Sequence, residues 1–249
     1  MVQSGAVRVL CIGVGGLGAP VTSVLARRGP DAGALSLTLL DDDVVDATNL
    51  HRQTLFSEGD VGAAKVTRAA EVLGRWAAET ATPLGIEAQQ QRFTPSNAEA
   101  LARSHDVIVE GADNLATKFL AADAAGLTGR PVVHAGVVRW SGWAKAVWPG
   151  HGACLRCVFE DVPRDRVETC AEAGVVGALV GVVGAVQAGL LLRVLAGDRA
   201  AAETITRVDA RAGVARTVPV RARRDCPLCG DHRDIVDLSA ARYAPACHV

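Results

Sequence analysis

Two features that reveal the class of many proteins are missing from this chain of 249 residues. Neither sign of charge dominates, because 26 Lys and Arg residues face 27 Asp and Glu residues. The near-zero net charge gives no electrostatic reason to expect binding to nucleic acid or to a membrane surface. The first ten residues, MVQSGAVRVL, also lack the charged segment and long apolar run of a secretory signal. We therefore expect neither nucleic acid nor membrane as a partner.

Aromatic side chains are scarce at the one place where a membrane span would need them. Residues Val175 to Leu192 are almost wholly apolar, with Gln187 as the only polar side chain. Their length would suffice to cross a bilayer. The stretch is rich in Gly and Ala, however, and has no aromatic belt. We predict a buried, closely packed helix rather than a membrane span.

The seven cysteines are an odd number, so disulfides could not pair all of them. Without a secretory signal this favours a reducing compartment, and we expect a cytoplasmic protein. Four of them form two C-x-x-C pairs, Cys154 with Cys157 and Cys226 with Cys229. Four thiolates can close a tetrahedral zinc site, which leaves no open position and would be structural. A redox C-x-x-C would follow a strand and open a helix, and neither pair fits that pattern well.

Alternating strand and helix patterns predict an α/β fold. Predicted strands cover residues 8–12, 35–40, 86–93, 107–110 and 131–138, and predicted helices cover 20–28, 62–80, 96–103 and 115–125. We expect Pro95 and a Ser cap to open the third of these helices. We predict a strand pair in the segment WSGWAKAVWPG, residues 140–150. A second strand pair is predicted near Glu203 to Val220.

A glycine-rich turn follows the first strand. The segment GVGGLG contains G-x-G-x-x-G at Gly13, Gly15 and Gly18, which places a phosphate near the N-terminus of the next helix. Asp41 follows the second strand at the spacing expected of an acid that holds a ribose. The motif alone is typical of a nicotinamide dehydrogenase. A glycine-rich turn without any ligand is the other interpretation that stays open.

Polar residues beyond the ribose acid argue against a dinucleotide. Asn49, Arg52 and Gln53 follow in NLHRQ, and Lys65 follows in VGAAKV. A dinucleotide carries only a pyrophosphate, so additional cations in this region favour a triphosphate. Asp113 comes after the VIVE strand, at a position where a carboxylate can hold magnesium. Each of these charges taken singly could be a solvated side chain, and Asp113 could be a turn or helix cap.

The chain carries eight short segments in a fixed order between about residues 8 and 230: GVGGLG, LLDDD, NLHRQTLF, VGAAKV, GADN, CLRC, TCAEAGVVG and CPLC. In this order they resemble the ThiF/MoeB adenylyltransferases, the bacterial relatives of ubiquitin-activating enzymes. The resemblance implies an α/β, Rossmann-like mixed sheet with helices on both faces and a segment held by a four-cysteine zinc site. Residues 1–249 would form a single domain, with a nucleotide-binding part at about 7–140 and a zinc-stapled, carrier-binding part at about 141–232.

The resemblance also implies a reaction. Magnesium ATP would activate the C-terminal carboxylate of a ubiquitin-like sulfur carrier protein ending in Gly-Gly, giving an acyl-adenylate and pyrophosphate. Catalytic roles would fall to Arg52, Lys65, Asp113 and Cys170, and Cys170 would react with the activated carrier to form a thioester or an acyl disulfide. The nucleotide would contact the residues that match the family's motifs: Gly13, Gly15, Gly16, Gly18, Asp41, Asp43, Asn49, Arg52, Gln53, Lys65, Asp113 and Asn114. Zinc would be held by Cys154, Cys157, Cys226 and Cys229.

Two departures from the family pattern bear on partners. Relatives of this type carry an N-terminal helical segment whose Arg reaches the partner subunit's nucleotide site, whereas the first strand here begins about seven residues in. The resemblance implies a homodimer, and this departure leaves its form open. No rhodanese-like segment is expected either, so a separate protein would donate sulfur. The alternatives are adenylation of a peptide or small acid in a natural-product pathway, and a nucleotide-binding subunit without catalysis.

Overall fold

The computed structural model describes residues 5–161 and 174–243. Eight strands in these residues form a single sheet: β1 (Val7–Ile12), β2 (Leu35–Leu40), β3 (Leu84–Gln89), β4 (Val107–Glu110), β5 (Val132–Val138), β6 (Ser141–Val147), β7 (Thr204–Asp209) and β8 (Val214–Pro219). Their order across the sheet is β3-β2-β1-β4-β5-β6-β7-β8. The first five positions in that order are parallel, and β6 to β8 are antiparallel. The predicted mixed sheet is confirmed.

Helices cover both faces of this sheet. They are α1 (Gly18–Ala26), α2 (Lys65–Glu79), α3 (Pro95–Ser104), α4 (Leu115–Thr128), α5 (Leu155–Phe159) and α6 (Gly177–Leu195). One hydrophobic cluster joins α1, α2 and α6 to the sheet, and a second joins α3, α4 and the segments around Cys154 and Cys226. The fold class predicted from the sequence, a Rossmann-like sheet with helices on both faces, is therefore confirmed.

The glycine-rich turn forms because the chain must reverse sharply at the end of a buried strand. Gly13 has a φ of +83°, a conformation that favours glycine. At Gly18, the first residue of α1, an added Cβ would overlap the carbonyl oxygen of Gly13. Glycine at these two positions thus lets α1 start directly above the end of β1. The free N–H groups of that helix start then point at the carboxyl edge of the sheet.

The strand pair predicted in residues 140–150 is wrong, because these residues contain a single strand, β6. Ser141–Val147 form one strand, which pairs with β5 on one side and β7 on the other. A period of two along the chain predicts a strand but does not identify its partner, and both partners here lie outside the segment. The pair predicted near Glu203 to Val220 is confirmed as β7 and β8.

Two helix starts also differ from the predictions. Helix α2 begins at Lys65 rather than at Gly62, whose φ of +89° is not helical. Helix α3 is capped by Thr94, whose side chain and that of Asn97 bond reciprocally to backbone N–H groups. The predicted Ser cap is wrong because Pro95 takes the first helical position, and the cap must then be the residue before it.

The long apolar stretch folds into α6. By length and composition this helix could cross a membrane, with a mean hydropathy of 2.0, and half of its most apolar window is buried inside the molecule. It packs on β5, β6 and α1. An added Cβ on Gly184 would lie 2.7 Å from Cγ of Pro20, so the small residues allow α1 and α6 to approach closely. This is the packing predicted for a buried, closely packed helix.

Candidate active site

The carboxyl ends of β1, β2, β4 and β5 open into one cavity of about 1130 Å³. This edge is where open α/β sheets bind ligands. The glycine-rich turn, Asp41 to Asp43 and the turn after β4 meet here, and the antiparallel strands extend the cavity as far as β8. We call the part between β3 and β4 the nucleotide arm and the part over β5 to β8 the acceptor arm. The volume slightly exceeds that of an ordinary small-molecule site.

Asp41 is tied to the glycine-rich turn. Its Oδ2 accepts the backbone N–H of Val14 at 2.9 Å, and its Oδ1 accepts that of Asp43 at 3.0 Å. Burial raises the pKa of Asp41, and the hydrogen bond from Val14 opposes that shift. The carboxylate is thus held in one orientation at the cavity wall, where free lone pairs can accept further hydroxyl groups.

Arg52 and Lys65 line the same nucleotide arm but have different partners. Lys65 is buried at the start of α2, and its Nζ lies 2.7 Å from Oδ2 of Asp43. Nη2 of Arg52 donates to Oδ1 of Asn49 at 2.6 Å. An added Cβ on Gly16 would lie 3.5 Å from Cγ of Arg52, so the guanidinium stem packs beside the glycine-rich turn. Both cations therefore line the part of the cavity that contains the glycine-rich turn.

Gln53 lies on the other side of that turn. The side chain is buried, and an added Cβ on Gly15 would lie 3.2 Å from its Nε2. Its Oε1 is buried without a hydrogen-bond partner in the described part of the chain. Leaving such an atom unpaired costs free energy, so the described residues do not fully satisfy this buried amide at the cavity wall.

Not every predicted nucleotide contact reaches the cavity. Gly13, Gly15, Gly16, Asp41, Asp43, Arg52, Gln53, Lys65, Asp113 and Asn114 line it. Gly18 and Asn49 are not among the described residues that line it. Gly18 packs against the backbone of Gly13 in the turn, and Asn49 accepts a hydrogen bond from Arg52. Both residues therefore position others that line the cavity.

Asp113 and Asn114 follow β4 and separate into two roles. Asn114 caps α4, because its Oδ1 accepts the backbone N–H of Thr117 at 2.8 Å. Asp113 is exposed and lines the nucleotide arm. The helix cap considered for Asp113 is thus supplied by its neighbour, and the Asp113 carboxylate faces the cavity, where it could hold a divalent cation.

A buried charge cluster under this turn was not predicted. Glu110 is fully buried, and each of its two carboxylate oxygens accepts a hydrogen bond from Nζ of Lys118 at 3.1 Å. Glu110 also accepts the backbone N–H of Ala112 at 2.7 Å. The Nδ1–H of His134 donates to it at 3.1 Å, and burial lowers the pKa of that imidazole. A lone Lys within the apolar helix sequence LATKFLAADAAGLT was the signal that could have revealed the cluster.

The four predicted zinc ligands lie together. Their sulfur atoms are separated by 3.7 Å for Cys154–Cys157 and by 3.4 Å for Cys154–Cys226, Cys154–Cys229 and Cys157–Cys229. Four sulfurs at the usual zinc–sulfur distance would be about 3.8 Å apart, so the cluster fits a tetrahedral zinc ion. The spatial convergence of the two C-x-x-C pairs is confirmed.

One feature of the first pair differs from the prediction. Cys154 is the N-cap of α5, so this C-x-x-C does open a helix. The helix has only five residues, and residues 148–154 separate it from the end of β6. Lys145 lies nearby, and burial lowers its pKa to about 8 against the opposing effect of Cys154 and Cys157. Nζ of Lys145 donates to the carbonyl oxygen of Ala202 at 2.8 Å, so this cation is held by the backbone and not by the thiols. The short helix and its distance from β6 along the chain do not match the strand-to-helix placement of a redox pair.

The remaining cysteines divide into two groups. Cys11 is fully buried in β1, and burial raises its pKa to about 12, so it is an inert core residue. Cys170 and Cys247 lie outside the described residues. The role predicted for Cys170 therefore stays a prediction.

The fold and the site together define a class: a Rossmann-like α/β protein with a glycine-rich turn, two cations that line the same cavity, and a four-cysteine cluster. The chain belongs to the ThiF family, whose model matches residues 3–228. This is the family that the eight sequence segments resemble.

The alignments with individual relatives cover different shares of those proteins. The chain is 40% identical over 237 residues to the adenylyltransferase and sulfurtransferase MOCS3 of Bos taurus, covering 94% of this chain and 50% of that protein. It is 35% identical over 243 residues to the sulfur carrier protein adenylyltransferase of Thermus thermophilus, covering 93% and 86%. It thus spans half the length of the bovine relative. A crystal structure of E. coli MccB with MccA-N7isoASN shares the fold, with a TM-score of 0.73 at 20% identity over 90% of this chain and 67% of that chain.

Proposed function

We propose that the protein is an ATP-dependent adenylyltransferase that activates the C-terminal carboxylate of a ubiquitin-like sulfur carrier protein. The observation that carries the proposal is that Arg52, Lys65 and Asp113 line the same cavity as the glycine-rich turn, and that this cavity continues into a second arm. The names of the bovine and Thermus relatives, both adenylyltransferases, support it. A nicotinamide dinucleotide would leave these cations and the second arm without a role.

The reaction follows from charge and position. A carboxylate oxygen of the carrier attacks the α-phosphorus of ATP and forms a new P–O bond. The bond from that phosphorus to the bridging oxygen breaks, and pyrophosphate leaves with the electron pair. Negative charge grows on the phosphate oxygens, which Arg52, Lys65 and the N–H groups at the start of α1 stabilise. Asp41 accepts the ribose hydroxyls.

Each arm of the cavity holds one reactant in this proposal. ATP lies in the nucleotide arm, with Asp113 beside the phosphates as the residue that would hold magnesium. Bound there, magnesium would neutralise part of the charge on the phosphates. The C-terminal Gly-Gly of the carrier enters through the acceptor arm. Holding both reactants in line supplies much of the rate enhancement.

The finer parts of the proposal concern the cysteines and the assembly. The four-cysteine cluster holds zinc as a structural ion, since four thiolates leave no open position. The Cys170 thiolate attacks the carbonyl carbon of the carrier's acyl-adenylate and forms a thioester, and AMP leaves with the electron pair of the broken C–O bond. A separate protein donates sulfur. The protein works in the cytoplasm as a homodimer, for which sedimentation of the purified protein is the test.

The decisive experiment is ATP–pyrophosphate exchange with the purified protein, alone and with a panel of ubiquitin-like carriers ending in Gly-Gly. We expect exchange that depends on one carrier and is lost when its terminal Gly is deleted. Exchange with a peptide or small acid but with no carrier would establish the natural-product alternative instead. Tight ATP binding without exchange on any acceptor would identify a subunit without catalysis.

A further inference from the structure

An aromatic pair stands at the junction between the acceptor arm and the four-cysteine cluster. The ring centroids of Trp143 and Phe159 are 4.7 Å apart, with the planes tilted by 40°. Both side chains line the cavity, and Phe159 is 40% exposed. The nucleotide arm also contains apolar side chains, Phe93 among them, but Phe93 is only 5% exposed. An exposed aromatic surface of this kind is suited to contact with a peptide chain.

Trp143 is fixed by a close contact with the sheet. Gly136 of β5 lies directly opposite it in β6, and an added Cβ on Gly136 would lie 2.7 Å from Nε1 of the indole. The ring therefore lies over the bare backbone of Gly136. Arg207 is its partner on β7, so Gly136, Trp143 and Arg207 form one row of side chains on the same face. That row is part of the acceptor arm.

Phe159 is positioned by the cysteine cluster. It is the last residue of α5, the five-residue helix that Cys154 caps and that contains Cys157. The other two cysteines come from the segment after β8. A shift of either segment would move α5 and withdraw Phe159 from Trp143. The geometry of the sulfur cluster is thereby linked to the wall of the acceptor arm.

We infer that Trp143 and Phe159 form the aromatic wall that determines affinity for the acceptor. This inference rests on the proposed function, since it assumes that the acceptor arm holds the carrier's C-terminal segment. The wall contacts the carrier chain and not the ribose end of the nucleotide, because Asp41 follows β2, which lies four strand positions from β6 across the sheet. Its loss should therefore weaken the carrier and leave ATP unaffected.

The test is a comparison of Phe159→Ala, Phe159→Leu and wild type in ATP–pyrophosphate exchange, with carrier and ATP varied separately. The probe is the Gly-Gly carrier that gives the highest exchange with the wild type. We expect Phe159→Ala to raise the KM for the carrier about tenfold or more, with a KM for ATP within about twofold. Phe159→Leu, which keeps an apolar surface, should recover part of the loss. Calorimetric titration of the carrier should show the same loss of affinity without turnover.

Trp140→Ala is the matched control. Trp140 is 43% exposed, lies three residues from Trp143 and does not line the cavity in the described part of the chain. Its loss should leave both KM values unchanged, and zinc content should stay near one per chain in every variant. A carrier KM in Phe159→Ala within about twofold of wild type, or an equal rise in the KM for ATP, would overturn the inference while wild-type exchange upheld the proposed function. Absence of wild-type exchange and binding with every carrier would overturn both.

Discussion

Asp113 lies exposed in the nucleotide arm, on the turn that Glu110 and Asn114 hold from either side. Replacing it should remove a carboxylate from the reaction without disturbing the fold. We expect Asp113→Ala to lower pyrophosphate exchange by at least about 100-fold, because the magnesium that Asp113 would hold could no longer neutralise charge on the phosphates. The unfolding midpoint should stay within about 2 °C of wild type, since surface substitutions cost little.

Asp31→Ala is the control for that variant, because Asp31 is an exposed acid in the loop before β2. It should leave exchange and stability unchanged. Asp113→Ala with normal exchange would remove this residue from the mechanism.

Cys170 carries a prediction that rests on its sequence position alone. The adenylation step needs no thiol, so Cys170→Ala should retain carrier-dependent pyrophosphate exchange. Any covalent adduct between the protein and the activated carrier should disappear, as measured by intact mass under non-reducing conditions. An adduct that survives in Cys170→Ala would assign the thiol chemistry to another cysteine.

At the residue scale, the sequence predicted which side chains line the nucleotide arm better than how they are paired. The order of Asp41, Lys65 and Asp113 along alternating strands and helices places them at one edge of a parallel sheet. Nothing in the sequence indicates that Lys65 would contact Asp43, or that Glu110 would be buried with Lys118, because such pairs form only when separate elements pack.

At the scale of elements, the cysteine cluster joins α5 to the segment after β8. Purified protein should contain about one zinc ion per chain, and Cys226→Ala should lose it, because three ligands hold a structural zinc poorly. Cys226 is fully buried, so we also expect a lower unfolding temperature. Metal analysis and thermal unfolding measure the two effects.

Cys11→Ala is the matched control, since Cys11 is an equally buried cysteine far from the cluster in sequence. It should keep its zinc. Wild-type protein without zinc, when prepared free of chelators, would show that the four sulfurs serve another purpose.

Local sequence patterns identified most elements, and long-range pairing explains why the strand pair in residues 140–150 was wrongly predicted. The first βαβ unit was predictable because the glycine-rich turn, the buried strands and the helix spacing all point to one structure. Residues 140–150 were predicted as a strand pair because alternation is the same whether a strand pairs with its neighbour or, as β6 does, with β5 and β7. Which strands pair depends on tertiary packing, and a short sequence segment carries no information about it.

At the scale of the whole molecule, one buried carboxylate joins three distant parts of the chain. Asp123 of α4 accepts from Nε and Nη2 of Arg156 at 2.8 and 2.9 Å, and from the hydroxyl of Tyr243 at 2.7 Å. Asp123 is fully buried and Arg156 is 2% exposed. Since Arg156 lies between the first two cysteines, the contact ties the four-cysteine segment and residues near the end of the described chain to the helix under the acceptor arm.

Breaking this contact should therefore be far more costly than breaking a surface ion pair. We expect Asp123→Ala to lower the free energy of unfolding by about 3–5 kcal/mol, because it leaves a buried guanidinium without its main partner. Glu99→Ala, which breaks an exposed pair with Arg103, should cost less than about 1 kcal/mol. The double variant Asp123→Leu with Arg156→Met should recover most of the loss, since neither charge then remains buried. Chemical denaturation measures all three, and a cost for Asp123→Ala no larger than that for Glu99→Ala would show that the three segments are held together by apolar packing alone.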